Sequence, residues 1–512
     1  MELNARKAPG GTLLEGEVCI VGAGPAGLAL AQELQARGIQ TIVLESGGYP
    51  RDAEAQELNA GESAGDGYPD LRLSRSRGVG GTATLWNTMF QGAAFAKYVP
   101  LDDGDLESRD WIPWSGWPFA RTTLDAYYRR AQETCGLGSS DYDGSAWAGA
   151  AAPLLDLADS GLTQSVHQYG PADRFLVALP AALIASTRVM LVHGATVTRL
   201  SGGANAERVT EARWVTLAGN AGVARASTFV LAAGALENAR LLLLSLQEPT
   251  TLPWLGRGFM DHPVDSSLRL VSRAAALAET PGFFGARLTA HGPVVGRLGL
   301  SPELLRAERL LNASLRLFHD SEPELLHAPG LQPAARRLVP AQAWRKRIGD
   351  SIRRVHRLTA PLRATRHRVL LDLEQAPHPD NRVVLSERRD VLGQPTAVLQ
   401  WRWRSEDEAR RRKLRLVLAR ELARVGAGRL EVTGEPPLQP AAHHHAGTTR
   451  MHPEASEGVV DAELRVHRME NLFVTGASVF PTAGVANPTL SAIALTLRLA
   501  DHLTGHGPCA PR

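Results

Sequence analysis

Residues 17–45 read EVCIVGAGPAGLALAQELQARGIQTIVLE, and this stretch decides the fold class. Glu17 to Val21 is a short apolar run of strand type, and Gly22-Ala23-Gly24-Pro25-Ala26-Gly27 follows as a glycine turn. A helical pattern then runs to Gly38, which stops it, and Thr41 to Leu44 reads as a second parallel strand ending at Glu45. Gly22 makes the tight turn, Gly24 lets the backbone approach a pyrophosphate, and Gly27 lets the helix pack on the strand. The helix N-terminus, whose first turn holds Pro25 and Ala26, offers unpaired N–H groups and positive potential to a phosphate. Glu45 stands where an acid can accept hydrogen bonds from an adenosine ribose. Strand, turn, helix, strand and terminal acid in this order imply a dinucleotide-binding unit, with NAD and FAD both open at this point.

The chain has 512 residues, room for about three domains of ordinary size. Hydrophobic residues make up 44% and charged residues 21%, which excludes a collagen-like, disulfide-scaffold or wholly disordered chain. With 56 basic and 53 acidic residues the net charge is +3, so no global field points to nucleic acid. Of the basic residues only four are lysines: Lys7, Lys97, Lys346 and Lys413. Cys19, Cys135 and Cys509 are far apart and form no CxxC, which suits a reducing compartment. The residues ahead of Val18 lack the basic n-region, apolar stretch and cleavage site of a signal peptide, and a cytoplasmic location is expected. Leu472 to Leu497 carries no charge, but Gly476, Pro481, Gly484, Asn487 and Pro488 interrupt it. It reads as buried strand, loop and helix, and no membrane span is expected.

Further glycine-rich segments lie outside the first unit. Gly80-Gly81-Thr82-Ala83-Thr84-Leu85-Trp86-Asn87 follows the arginines Arg72, Arg75 and Arg77. A glycine pair lets backbone amides close on a flat or anionic ligand, although an ordinary turn has the same composition. Thr228 to Leu231 leads into Ala232-Ala233-Gly234-Ala235 and the helical ENARLLLLSL, a buried strand ending at small residues where a cofactor can lie. From His443 the chain reads HHHAGTTRMHPEASEGVVDAELRVHRMENLFVTGASVFPTAGVANPTLSAIALTLRLADHL. Taken alone, His443-His444-His445 is either a metal tract or a polar loop, and Asn487 before Pro488 is either a functional side chain or a helix N-cap.

Taken together these elements resemble the glucose–methanol–choline (GMC) flavoprotein oxidoreductases. The resemblance rests on GAGPAG with Glu45, RGVGGTATLW, the SGWP of Ser115 to Pro118 and LAAGALENARLLL. It continues through GRGFMDHP from Gly256 to Pro263, the HxxGTxRM pattern at His444, and NPTLSAIALTLRLADHL, so it spans nearly the whole chain. The style is closest to bacterial sugar, polyol and pyranose-oxidase-like members. The resemblance implies an α/β fold in which an FAD-binding Rossmann-type domain is assembled from discontinuous segments, 1–100, 186–265 and 440–512. An α+β substrate domain with an antiparallel sheet would take residues 101–185 and 266–439. WVTLAG, VLLDLEQAP and AVLQWRWR read as strands of that sheet.

The implied cofactor is FAD. Its expected contacts are Gly22, Gly24, Pro25, Ala26, Gly27, Glu45, Arg77, Gly80, Gly81, Thr82, Trp86 and Asn87, then Val197, Ala233, Gly234, Gly476, Ala477, Pro488 and Thr489. In this family a His and a His-or-Asn pair face flavin N5, and the motif register places them at His444 and Asn487. The chemistry accounts for both types. Oxidising an alcohol removes the hydroxyl proton and sends the carbinol hydrogen to flavin N5. A neutral imidazole, with a reference pKa of about 6.5, takes that proton near neutral pH. An amide holds the same oxygen without titrating. The helix beginning at Pro488 would aim its positive end at the flavin pyrimidine.

Three positions depart from the family pattern. Leu85 stands where some relatives carry a histidine that attaches FAD covalently, so non-covalent FAD is expected. Asn87 replaces a Ser or Thr of several relatives near N5, and His452 follows Arg-Met where a glycine is common. The substrate is expected to be a sugar, glycoside or cyclic polyol, with His445, Glu374 and Trp401 bordering it, although sheet packing explains Trp401 and Trp403 equally well. No metal is expected. Electrons would pass to dioxygen, an acceptor protein or a quinone. Residues 331–370 hold eleven Arg or Lys and one acid, Asp350, which reads as a solvated helical face or a docking surface. Rival readings are a non-redox lyase of the same fold, a dehydrogenase of a specialised natural-product alcohol, a non-catalytic flavin-binding protein and a nicotinamide-linked dehydrogenase.

Overall fold

A computed structural model describes residues 1–49, 52–86, 88–90, 93–202, 207–278, 282–319, 364–434, 438–439 and 442–505. Its centre is a six-stranded, wholly parallel sheet in the order Glu2–Asn4, Val189–His193, Thr41–Glu45, Val18–Val21, Thr228–Leu231, Leu472–Val474. The two central strands, VCIV and TIVLE, are buried at every position. A parallel strand covered on both faces reads as a continuous apolar run, and these two do. The sheet draws its strands from the two ends and the middle of the chain, because each crossover must return to the same C-terminal edge.

Between strands Val18–Val21 and Thr41–Glu45 runs the helix Pro25–Ala36, and the last described helix, Thr489–Thr504, packs against it. Both are rich in Ala and Leu, and their buried sides join one core with the parallel sheet. Gly22 has φ +108°, and a Cβ there would stand 2.6 Å from the Ala232 carbonyl oxygen. At Gly27 the clash is with the Gly22 carbonyl oxygen at 2.0 Å, so helix and strand approach as closely as the sequence pattern requires.

The second large sheet is antiparallel and nine-stranded. Its path is Arg429–Val432, Val264–Ser272, Thr365–Leu373, Ala313–His319, Gly292–Leu300, Leu162–Pro171, Ala93–Tyr98, Thr88–Phe90, with Arg287–Thr289 paired to Gly292–Leu300. One face is apolar. Leu268, Val294, Leu298, Leu315 and Leu371 pack there against Leu414, Leu418 and Leu422 of the helix Ser405–Arg424. The strands Thr88–Phe90 and Ala93–Tyr98 belong to this sheet, although they fall inside the 1–100 segment expected to bind cofactor.

Two expected members of the sheet lie elsewhere. The WVTLAG strand pairs within a four-stranded sheet of Thr196–Gly202, Val209–Val215, Ala221–Arg225 and Thr12–Glu15. AVLQWRWR forms Pro395–Trp401 in a three-stranded sheet with Arg382–Arg389 and Gly61–Gly65. Alternation shows that a segment is a half-buried strand, but it does not say which edge will pair with it. Of the strands named from the sequence, VLLDLEQAP does enter the large sheet, as Thr365–Leu373. The basic 331–370 segment lies largely outside the described residues, as do Cys509 and Asn87. Among the described residues no helix is long and apolar enough to cross a membrane.

Gly27→Ala tests the close approach. The added methyl meets backbone, so the substitution is expected to cost about 1–3 kcal/mol. The urea midpoint of cofactor-free protein measures this without a contribution from ligand binding; an unchanged midpoint would refute the packing described.

Candidate active site

Cofactor residues named from the sequence gather at the C-terminal edge of the parallel sheet. The helix Pro25–Ala36 begins at Gly24 with no side-chain cap and no acid in its first turn, which leaves its N–H groups for an anion. A Cβ at Gly24 would meet no protein atom within 4 Å, and the same holds at Gly234 and at buried Gly476. The Gly81–Leu85 turn closes over this opening: the Gly80 N–H donates to the Ala23 carbonyl (2.9 Å), and a Cβ on Gly81 would lie 2.8 Å from the Gly24 Cα. Thr82 Oγ1 accepts from the Ser76 N–H (3.3 Å), and the Trp86 ring meets Tyr98 and Phe175 edge-on. Val197 lies on the strand Thr196–Gly202, next to Ala195, whose N–H bonds the Glu45 carbonyl (2.8 Å). Ala233 precedes the helix Gly234–Ser245 and donates its N–H to Asn238 Oδ1 (2.8 Å). Ala477 accepts from the Gly447 N–H (3.1 Å), which ties this edge to the histidine loop.

Glu45 ends its strand with the carboxylate turned inward. Oε2 accepts from the Ala23 N–H (2.9 Å), while Oε1 accepts from the N–H groups of Gly47 (3.0 Å) and Gly78 (2.9 Å). Burial raises its pKa against the pull of these donors and of Arg77. Glu45 thus ties the first glycine turn to the second and keeps lone-pair capacity for a ribose hydroxyl. The open space at Gly24 and Gly476, the uncapped helix and Glu45 together fit FAD.

Arg77, expected at the cofactor, makes its bonds within the protein. The Arg77 guanidinium is directed to Glu237 (2.8 Å), Asn59 Oδ1 (2.8 Å) and Ser46 Oγ (3.1 Å), with Arg75 on the same carboxylate (2.7 Å). Burial would raise Glu237, but Arg77, Arg75 and Arg240 outweigh it and hold the group well below the usual carboxylate range. Arg77 therefore braces the loop from below.

The three histidine rings diverge. His443 has φ +62°, a left-handed conformation that an L-residue adopts at a cost, and it turns the chain between Ala442 and His444. His444 Nδ1 lies 2.9 Å from His262 Nδ1, and its Nε2 lies 2.8 Å from Asn487 Nδ2. An amide nitrogen only donates, so His444 Nε2 accepts, its proton sits on Nδ1, and His262 Nδ1 accepts that proton in turn. His262 is then neutral with its proton on Nε2, consistent with burial lowering its pKa despite the nearby Asp261. Asn487 does not cap the last helix: Pro488 occupies the cap position, Thr489 opens the helix, and no side chain bonds its first turn.

Asp261, fully buried, holds this arrangement together. Its Oδ1 accepts from the N–H groups of His262 (2.7 Å), His444 (2.9 Å) and Ala442 (3.2 Å), and Oδ2 accepts from Tyr68 Oη (2.5 Å). Neither Asp261 nor His262 had been given a role from the sequence, although both stand in GRGFMDHP. A histidine beside an aspartate in a glycine-rich turn was the available signal.

The residues expected to border substrate are engaged within the protein. His445 turns away from His444 and packs its ring against Tyr68 and Phe259. Glu374 is bound bidentately by Arg109 (2.5 and 2.9 Å) and accepts the Asn312 N–H (2.7 Å), a closed internal pair. Trp401 is 2% exposed, donates Nε1–H to Gln375 Oε1 (3.0 Å) and packs on Tyr68, so it presents no face to a sugar.

Residues 377–496 match the family model described as GMC oxidoreductase, and residues 15–53 match an FAD binding domain. The chain is 24% identical to 6'''-hydroxyparomomycin C oxidase of Streptomyces lividus, over 96% of this chain and 91% of that one. It is 28% identical to the fructose dehydrogenase large subunit of Gluconobacter japonicus, over 54% of this chain and 47% of that one. The crystal structure of pyridoxine 4-oxidase from Mesorbium loti shares the fold, with a TM-score of 0.53 and 16% identity over 96% of this chain and 100% of that one.

The His445 environment has a measurable consequence. Burial lowers its imidazole to about 4, against Asp261, which raises it. Between about 6.5 and 4 the unfolded chain binds a proton that the folded chain refuses, so stability is complete above that window and falls as pH drops through it. His445→Phe keeps a ring beside Tyr68 and Phe259 and is expected to remove about 3 kcal/mol of the loss between pH 7 and pH 4. Urea midpoints of both proteins at the two pH values check this; equal losses would contradict it.

Proposed function

Because the chain belongs to the GMC oxidoreductases, FAD-dependent enzymes acting on CH–OH donors, we propose that it oxidises a hydroxyl group of a sugar, glycoside or cyclic polyol, with His444 as the base. The observation that carries this reading is the His444–Asn487 contact at 2.8 Å, which presents an amide donor and an unprotonated imidazole nitrogen to the same space. An alcohol oxygen entering there accepts from Asn487 Nδ2–H while its own proton passes to His444 Nε2. The resulting imidazolium keeps its Nδ1–H on His262, which stays neutral and acts as acceptor. Asp261 holds the backbone of both histidines, so the base does not have to be oriented anew in each turnover. When bound, FAD supplies the acceptor for the two electrons that leave the carbinol carbon.

Two named relatives, one an oxidase of an aminoglycoside and one a fructose dehydrogenase, favour a carbohydrate substrate. They differ in acceptor, and dioxygen is the acceptor we propose here. Leu85 offers no nucleophile for a flavin bond, so the cofactor is held without a covalent link.

His444→Ala is expected to retain the flavin spectrum and to lose a factor of about 10²–10⁴ in kcat. Full activity in that variant would remove His444 from the mechanism. Acid precipitation should release all yellow colour to the supernatant and leave a pellet whose mass is that of the bare chain; flavin in the pellet refutes non-covalent binding. Anaerobic visible spectra against neutral sugars, glycosides and polyols test substrate class: one of them should bleach the oxidised-flavin band, and air should restore it rapidly. Consumption of a compound with no bleaching would favour the lyase chemistry instead.

A further inference from the structure

The nine-stranded sheet has a second face, and it is both polar and buried. Strand register puts Lys97 opposite Tyr169, His167 opposite Val295, and Ser314 opposite Asp372, with Arg297 and Arg316 on the same side. Lys97, His167, Arg297, Ser314 and Asp372 are all close to fully buried. Within this set the charges do not balance. Asp372 is taken bidentately by Arg316 (2.7 and 2.8 Å), and Lys97 Nζ stands 3.9 Å from the same carboxylate. Arg297 is engaged with Ser165 Oγ (2.8 Å) and reaches the half-exposed Asp102 only at 3.8 Å. Among the described residues, His167 Nδ1 and Ser314 Oγ are buried without a hydrogen-bond partner. An ammonium placed beside a carboxylate that another cation has already neutralised, next to unsatisfied polar atoms, is an unfavourable arrangement unless it gives up its proton or an anion joins it.

The face borders the histidine pair. Val264, two residues after His262, is the register partner of Asp372, and the Leu373 N–H bonds the Pro263 carbonyl (2.9 Å). The charges on Asp372 and Lys97 both act on His262. The polar face thus adjoins the segment that carries His262, the partner of His444 Nδ1.

We propose that Lys97, with Arg316, His167 and Ser314 around it, is a subsite for an oxyanion, a carboxylate or phosphate, carried by the substrate whose hydroxyl is oxidised at His444. This rests on the reading of the site as one for sugars or polyols and narrows it to their acidic derivatives. It disfavours substrates with ammonium groups, which Lys97, Arg297 and Arg316 would repel. Burial, and after it the Arg316 charge, lower Lys97 to about 7, while Asp372 opposes them. Among the described residues, Tyr169, His167, Arg297 and His262 also face it. Lys97 is therefore charged below about pH 7 and loses its charge as pH rises through that value, while Arg316 keeps its own.

The test uses the full-length, FAD-loaded protein at pH 6.5. A neutral sugar that bleaches the flavin is compared with its uronic acid, its phosphate ester and its amino sugar, and acetate and inorganic phosphate are titrated alone while flavin absorbance is followed. At least one acidic derivative should have kcat/KM about tenfold or more above the neutral parent, the amino sugar should fall below it, and the advantage should shrink above pH 7. Which acid wins distinguishes carboxylate from phosphate. Lys97→Gln should erase the advantage through KM, and Lys97→Arg should retain it. Equal kcat/KM for neutral and acidic sugars, or an unchanged preference in Lys97→Gln, overturns the subsite and leaves the sugar reading intact. If no sugar bleaches the flavin but acetate or phosphate perturbs its spectrum, and Lys97→Gln abolishes that effect, the subsite stands and the sugar reading fails. Should Lys97→Gln not fold, the wild-type comparison decides by itself.

Discussion

The candidate active site depends on a buried carboxylate at the crossing of two distant chain segments. Asp261 receives hydrogen bonds from backbone N–H groups at 262, 442 and 444 and from the Tyr68 hydroxyl. Backbone N–H groups buried away from water need an acceptor, and a carboxylate at this point satisfies several at once. The same contacts place two imidazoles 2.9 Å apart with a defined direction of proton donation. A histidine on a free loop would sample both tautomers and many rotamers. Here the tautomer follows from Asn487 at one nitrogen and His262 at the other.

The two sheets divide the work differently. The parallel sheet is buried on both sides and ends at an edge of glycines and small residues, with open space beside an uncapped helix N-terminus. The antiparallel sheet keeps one apolar face against the helix Ser405–Arg424 and holds charged side chains on the other. Buried charge is costly, and most of it in this protein is arranged as closed pairs such as Arg109–Glu374 or the arginine cluster on Glu237. Lys97 departs from that economy: among the described residues its one ion-pair neighbour, at 3.9 Å, already belongs to Arg316.

How much could be read in advance varies by element. The strand–turn–helix of residues 17–45 was fully legible, because glycine spacing and apolar periodicity are local properties that the fold merely repeats. The strands at Thr228–Leu231 and Leu472–Val474 and the final helix were legible for the same reason. WVTLAG and AVLQWRWR were recognisable as strands but were assigned to the wrong sheet, since alternation carries no address. His445 was expected at the site as the neighbour of His444, Glu374 as the end of a strand, and Trp401 as an aromatic face suited to a sugar. In an extended segment successive side chains point to opposite sides, so the neighbour of a functional residue usually faces the core.

What the sequence by itself determined was the dinucleotide cradle, the resemblance that implies FAD, and the pairing of His444 with Asn487, all of them carried by residue type and register within short motifs. Only the tertiary structure decided which groups complete the site. Asp261 and His262 reach His444 across about 180 residues of chain, and Lys97, Arg316 and Asp372 meet through side chains on three separate strands. Such contacts follow from sheet order and loop closure, which depend on the packing of the whole chain and leave no periodic trace in any one segment of it.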